Sequence, residues 1–140
     1  MYLIDTNVIS EMRKGKKANV GVQDFFKDVI SNNIATYLSV ITIGELRRGI
    51  EKIRYRRDIK QASMLETWLN KVLTDYKNHI LSFDEEAAQV WGHLRVPHHE
   101  HLLDKQIAAI ALIHNLTVVT RNIDDFSSSG VQLLNPFAEK

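Results

Sequence analysis

The chain has no cysteine among its 140 residues, which removes disulfides, thiolate metal sites and cysteine nucleophiles together. No apolar run approaches the ~20 residues of a membrane-spanning helix, so no membrane partner is expected. An acid at position 5 falls where a secretory signal would stay apolar, and the expected compartment is the cytoplasm. Repeats, low-complexity tracts and internal boundaries are also missing, so one domain over residues 1–140 is expected. Nor is there a large charge of one sign, the net value being +1. What remains, 44% hydrophobic and 25% charged residues, is ordinary for a globular chain. A chain of this size buries roughly two-thirds of its unfolded surface.

The organising stretch is Tyr2-Leu3-Ile4-Asp5-Thr6-Asn7. Three apolar residues bounded by polar ones read as a short strand buried on both faces. The residues after Asp5 have helical spacing, and Asp or Thr suits an N-cap. Further strands are expected at Ile34–Ser39, His79–Phe83 and Leu116–Thr120, with a short edge strand at Val131–Leu134. Helices are expected between them. One carries Val22, Phe25, Phe26, Val29 and Ile30, and a third starts near Thr42 with Ile43, Leu46 and Ile50 on one face. A long fourth shows an apolar stripe from Met64 to Tyr76, suited to core packing, a hairpin with the third helix or a subunit interface. A fifth begins at Asp84-Glu85-Glu86, buries Ala87, Val90, Trp91 and Leu94, and is ended by Pro97. The sixth, from about Asp104 to Ile113, is apolar on nearly every side and must lie against the sheet. Strands alternating with helices imply parallel strands joined by right-handed crossovers.

Acidic and amide groups recur where these elements meet the carboxyl rim of such a sheet, the place where open α/β sheets bind ligands. Asp5 ends the first strand, Glu45 lies in the first turn of the third helix, Asp104 opens the sixth, and Asn122 and Asp125 follow the fourth strand. Each has a plain structural role available. Asp5 suits a cap, Glu45 an ion pair with Arg48, Asp104 a first-turn acid and Asp125 a turn residue. If the first and fourth strands are neighbours, however, Asp5 and Asn122 leave the same edge, and Glu45 and Asp104 are able to join them. Clustered carboxylates repel unless a cation neutralises them. An all-oxygen set suits Mg²⁺ or Mn²⁺.

The same segments resemble a known family. Tyr2-Leu3-Ile4-Asp5-Thr6-Asn7-Val8-Ile9-Ser10 resembles the opening of PIN-domain proteins, and Ser39 to Gly49, with Glu45, resembles their second acidic motif. Asp104 with Ile107-Ala108-Ala109 resembles the third, and Val118-Val119-Thr120-Arg121-Asn122 with Asp125-Phe126 the fourth. The likeness spans essentially the whole chain and is greatest to the VapC/FitB-type toxins of bacterial toxin–antitoxin pairs. It implies a three-layer α/β/α sandwich with a central, mostly parallel sheet, and a Mg²⁺- or Mn²⁺-dependent endoribonuclease. It also implies a homodimer, and inhibition by a small cognate antitoxin protein that inserts a segment into the active-site groove. On that resemblance Asp5, Glu45, Asp104 and Asn122 occupy the site positions, with Asp5 and Asp104 as metal ligands. Asp125 either supplies the fourth charge or ends the turn. Glu45 would orient or deprotonate the attacking water, or reach the ion through water. Thr6 and Thr120 would position an acid or the scissile phosphate.

Other signals point elsewhere. His93, His98, His99 and His101 offer imidazoles for zinc, although no second ligand cluster accompanies them. Arg47 to Lys60 holds seven bases against two acids, suited to RNA phosphates, an acidic partner or plain solvation. Arg47, Arg48 and Arg121 lie nearest the acids in sequence. A haloacid-dehalogenase-type phosphohydrolase would need a second Asp two residues after Asp5, where Asn7 stands. A catalytically inactive PIN-like binding module would be marked by loss of the acids, and three of them are present.

Overall fold

The computed structural model describes residues 1–139. Five strands, β1 (Tyr2–Ile4), β2 (Thr36–Ser39), β3 (Ile80–Leu81), β4 (Thr117–Val119) and β5 (Leu133–Leu134), form one sheet in the order β3-β2-β1-β4-β5. Every pairing is parallel, so the expected mostly parallel sheet is fully so. β1 lies at the centre, with Ile4 opposite Val119 of β4. The condition that the first and fourth strands be neighbours is therefore met, and it brings Asp5 beside Thr120.

Alternation along these short strands builds the three layers. Ile4, Leu38, Val119 and Leu134 face one side, and Leu3, Tyr37, Val118 and Leu133 the other. The first side is covered by α1 (Thr6–Met12), α2 (Val20–Ser31), α3 (Val40–Tyr55) and α4 (Ile59–Asp75). The second is covered by α5 (Glu85–Leu94), α6 (Leu102–His114) and α7 (Ile123–Phe126). Successive strand residues point to opposite faces, and helices on both faces bury Leu3, Ile4, Leu38, Val118 and Val119, while Tyr37, Leu133 and Leu134 are half-buried. Each fully buried Leu, Ile or Val in these layers contributes roughly 1.5–3 kcal/mol.

Several boundaries differ from expectation, each for a local reason. α3 begins at Val40 because the Ser39 hydroxyl accepts from Thr42 N at 3.1 Å and caps the helix. Its first two residues are β-branched and prolong the strand signal, and Glu45 falls in the second turn. α4 starts at Ile59, capped by Asp58, and packs as a hairpin on α3. Its stripe is not uniformly covered: Leu69 and Val72 are buried, whereas Met64 is 64% exposed. On α5 only Ala87 is buried, with Val90, Trp91 and Leu94 half-buried. α6 starts at Leu102, which keeps Asp104 in its first turn, and Ile107 to Ala111 are all buried as expected. The strands are shorter than their apolar runs, because flanking Ile34, Phe83 and Val131 pack into the core without pairing.

The C-terminal segment crosses the start of α2. Asn19 Oδ1 accepts from both Gly21 N and Ala138 N at 2.9 Å, and Asn19 Nδ2 donates to Ala138 O at 3.0 Å. A Cβ on Gly21 would lie 2.3 Å from Pro136 O and 2.5 Å from Ala138 N, both backbone atoms. Ala in place of Gly within a helix ordinarily gains about 1 kcal/mol. Here Gly21→Ala should instead cost about 1–3 kcal/mol by overpacking, read as a lowered midpoint in urea. A raised midpoint would contradict the close approach.

Candidate active site

Asp5 stands at the carboxyl end of β1 with its backbone still in the sheet, Asp5 N donating to Val119 O at 2.9 Å. The side chain is 3% exposed. Oδ1 accepts from Thr6 N at 2.8 Å, so the plain capping role is real. Oδ2 accepts from the Thr120 hydroxyl at 2.7 Å and from Asn7 Nδ2 at 3.4 Å. These three donors leave about one of the carboxylate's four lone-pair positions free. Thr120 is itself fixed, accepting from Asn122 N at 2.9 Å and Asn7 Nδ2 at 3.3 Å, while Asn7 Oδ1 accepts from Arg121 N at 3.1 Å. The ends of β1 and β4 are thus laced together around one buried carboxylate.

Glu45 arrives from α3. Its Oε1 accepts from the Thr6 hydroxyl at 2.9 Å, and Thr6 Oγ1 lies 3.3 Å from Thr42 Oγ1. Thr6 has one hydroxyl proton, and with that committed to Glu45 the buried Thr42 must supply the proton between the two threonines. Thr42 Oγ1 in turn lies 3.4 Å from Ser39 Oγ. Glu45 therefore bonds Thr6, and the plain alternative of an ion pair with Arg48 is not formed, although the Arg48 charge still acts on it.

Asp104 and Asp125 complete the cluster from α6 and α7. Asp125 belongs to a short helix, not a turn, and that helix turns its carboxylate toward Asp104. One donor atom each of His101, Asp104 and Asp125 lie within 4.8 Å of one another. Asn122 caps α7 by its backbone, and its exposed side chain makes no hydrogen bond among the described residues. Of the predicted positions, Asp5, Glu45, Asp104 and Asp125 converge, whereas Asn122 contributes a backbone N–H to Thr120 at the rim.

The charges feel one another. Burial pushes the Asp5 carboxyl up, against the pull of the Thr120 hydroxyl and the Thr6 amide, and Asp125 adds repulsion. Burial likewise raises Glu45, opposed by the Thr6 hydroxyl and reinforced by Asp5. Asp104 is pushed up to about 6, first by burial and then by Asp5, Asp125 and Glu45. A folded-state value above the unfolded one means that the native state binds the proton more tightly. Stability from Asp104 is then fully present below its ordinary value of 3.8 and is lost as pH rises through about 6. Metal-free protein should consequently melt at a higher temperature at pH 5.5 than at pH 7.5. Asp104→Asn should flatten that slope, which scanning calorimetry in chelator would read. A steeper slope in the variant would refute this account of the cluster.

Two neighbours of the site are easily underrated from sequence. Thr42 and Asn7 looked like routine helix residues, and only tertiary pairing reveals their bonds. The histidine group is not gathered as a zinc set: among the described residues only His101 joins a cluster of possible ligands, and it does so with Asp104 and Asp125. In the basic stretch, Arg54 is bonded to Glu51 and Glu66, and Arg47 lies 3.3 Å from each of the same two acids. Arg48 stays exposed beside Glu45. Arg121 lies with its guanidinium 4.1 Å from the Phe137 ring centroid, held there by the C-terminal segment.

Comparison with known proteins agrees with this architecture. A PIN domain profile matches residues 2–129. The toxin FitB of Neisseria gonorrhoeae is 33% identical over 98% of this chain and 99% of its own length. The VapC ribonuclease Y4jK of Sinorhizobium fredii is 31% identical over 98% of each. The crystal structure of FitAcB from Neisseria gonorrhoeae superposes with a TM-score of 0.83 at 34% identity, covering 97% of this chain and 98% of that one.

Proposed function

This chain belongs to the PIN-domain family, and from that premise we propose that it is a metal-dependent endoribonuclease acting as the toxin of a toxin–antitoxin pair, one PIN-like domain over residues 1–140. The observation that carries the reading is the meeting of Asp5, Glu45, Asp104 and Asp125, from four separate elements, at one lip of the sheet. The toxin and ribonuclease names of its full-length relatives support it. The donor set fits a hard divalent cation, Mg²⁺ or Mn²⁺: all oxygens, mutually repelling, and partly withdrawn from water. Asp5 and Asp104 would hold the ion, Asp5 most directly, through the lone pair that its three donors leave open. When bound, such an ion polarises a phosphoryl oxygen and acidifies a coordinated water.

The protein's own groups do the rest. Thr6 N, Thr120 and Asn7 fix both oxygens of Asp5, so the ligand is oriented before RNA arrives. Glu45, raised above the usual carboxylate range and steered by Thr6, is set to take a proton from the attacking water. Asn122, at the rim with Asp125, lines the approach of the scissile phosphate. Arg48 and Arg121, exposed cations close in sequence to the acids, contact RNA phosphates. An apolar groove lined by Leu46, Ile50, Ile53, Leu65 and Trp68 opens beside Glu45 and receives a segment of the small cognate antitoxin. The active unit is a homodimer in the cytoplasm, and no helix among the described residues is long and apolar enough to cross a membrane.

Purified protein incubated with a mixture of structured RNAs tests the reading. Internal cleavage should appear with Mg²⁺ or Mn²⁺ and vanish in chelator. RNA that is bound yet left intact under every metal condition would instead make this an inactive binding module. Release of inorganic phosphate from monophosphates without internal cuts would indicate a phosphohydrolase.

A further inference from the structure

His101 sits in an unusual backbone position with little structural work for its side chain. It precedes α6 in the left-handed region, at φ 57° and ψ 50°, and its imidazole makes no capping bond. A residue with a side chain rarely adopts this conformation unless its surroundings impose it. Here both sides of it are pinned. Lys105, only 3% exposed, directs its ammonium onto the carbonyl of His98, and Lys105 N donates to His101 O at 2.9 Å. Trp91 Nε1 donates to Leu102 O at 3.1 Å. The imidazole therefore reaches the acids from a tethered loop, with Nδ1 3.8 Å from Asp125 Oδ1.

We propose that His101 is a nitrogen ligand in a three-donor cation site with Asp104 and Asp125, next to the oxygens of Asp5. The site rests on the nuclease reading above for its purpose, but its chemistry is separate. A cation with donor distances of about 2.1 Å spaces its donors by about 3 to 4.2 Å. The present spread of up to 4.8 Å closes with small side-chain rotations. Carboxylates favour Mg²⁺, Ca²⁺ and Mn²⁺, whereas imidazole favours Zn²⁺ and the later transition metals. A mixed set of one nitrogen and two carboxylates thus selects Mn²⁺, Co²⁺ or Zn²⁺ over Mg²⁺. Asp104 lies between both halves of the site, since the charges of Asp5 on one side and Asp125 on the other act on it. With His101 only as an ion-pair partner of Asp125, its single charge would be all that offsets the repulsion Asp104 feels from Asp5, Asp125 and Glu45.

The test uses Mn²⁺ as the probe, bound to the full chain and read by pulsed electron paramagnetic resonance. Wild type should show the nitrogen coupling of a coordinated imidazole. His101→Gln should lose it and bind Mn²⁺ about tenfold or more weakly, with Mg²⁺ affinity changed far less. His99→Gln, on the same loop, should keep the coupling. Bound Mn²⁺ without nitrogen coupling, or coupling that survives His101→Gln, overturns the proposal and leaves His101 as an ion-pair partner of Asp125. The two readings fail separately. RNA cleavage by protein whose Mn²⁺ has no nitrogen ligand sinks the site alone, and nitrogen-bound Mn²⁺ in protein that cuts no RNA sinks the nuclease alone.

Discussion

Asp5→Asn should lower metal-dependent RNA cleavage by at least about 10³-fold while leaving a folded protein. The size follows from charge. A metal ion supplies several kcal/mol of transition-state stabilisation, and each 1.36 kcal/mol is about tenfold in rate. An amide cannot hold the ion as the carboxylate does, so most of that term goes. Stability behaves differently because two effects oppose. The amide oxygen keeps the bond from Thr6 N, but the amide NH₂ now faces Thr120 and the Asn7 amide, so the Thr120 hydroxyl proton loses its acceptor, as does the long, weak bond from Asn7 Nδ2. A lost buried hydrogen bond costs about 1 kcal/mol. Against this, a buried charge held above its ordinary proton affinity by desolvation and by Asp125 has been removed. The terms offset, and the melting temperature should move by only a few degrees. Cleavage assays on the purified variant, with circular dichroism alongside, separate the outcomes. Full activity would remove Asp5 from the chemistry. Lost activity together with lost fold would leave its role structural.

Much of this site could be read before the fold was known because its acids sit at element junctions, where periodicity changes. Asp5 and Asp104 each begin an apolar helical pattern, so sequence alone placed them at the rim. The alternation of strands and helices implied parallel strands, but that β1 and β4 are neighbours is supplied by the fold. Boundaries were less legible. Val40 and Ile41 look like strand, yet the Ser39 cap turns them into helix, and this moves Glu45 by a turn. Asp125 looked like a turn residue because four-residue α7 is too short to show a period. The hydroxyl and amide bonds of Thr42, Asn7 and Thr120 join residues from 36 to 115 positions apart, and no local pattern reports such contacts. His101 was visible only as one of four nearby histidines. What distinguishes it is a backbone turn fixed by Lys105 and Trp91, which spacing does not encode.

Phe126→Ala should be the most destabilising single truncation at the site's edge, costing about 3–5 kcal/mol. Phe126 is 1% exposed and is the largest fully buried side chain, packed with Ile107, Ala108, Leu116, Val118 and Val131 behind α6. The alanines of α6 have no side-chain length with which to fill the hole, and α7 is too short to collapse inward as a unit. The cost is therefore the lost transfer energy plus nearly the whole cavity term. Against a total stability of about 5–15 kcal/mol, this is a large share, and the melting temperature should fall by roughly 10 °C or more. Activity should fall further than stability requires, since α7 carries Asp125 next to Phe126 and a loosened α7 loses its hold on the cluster. Phe126→Leu keeps most of the volume and should recover most of both. Equal cleavage by folded Phe126→Ala and wild type, measured well below the melting transition, would show that the position of Asp125 does not depend on this packing.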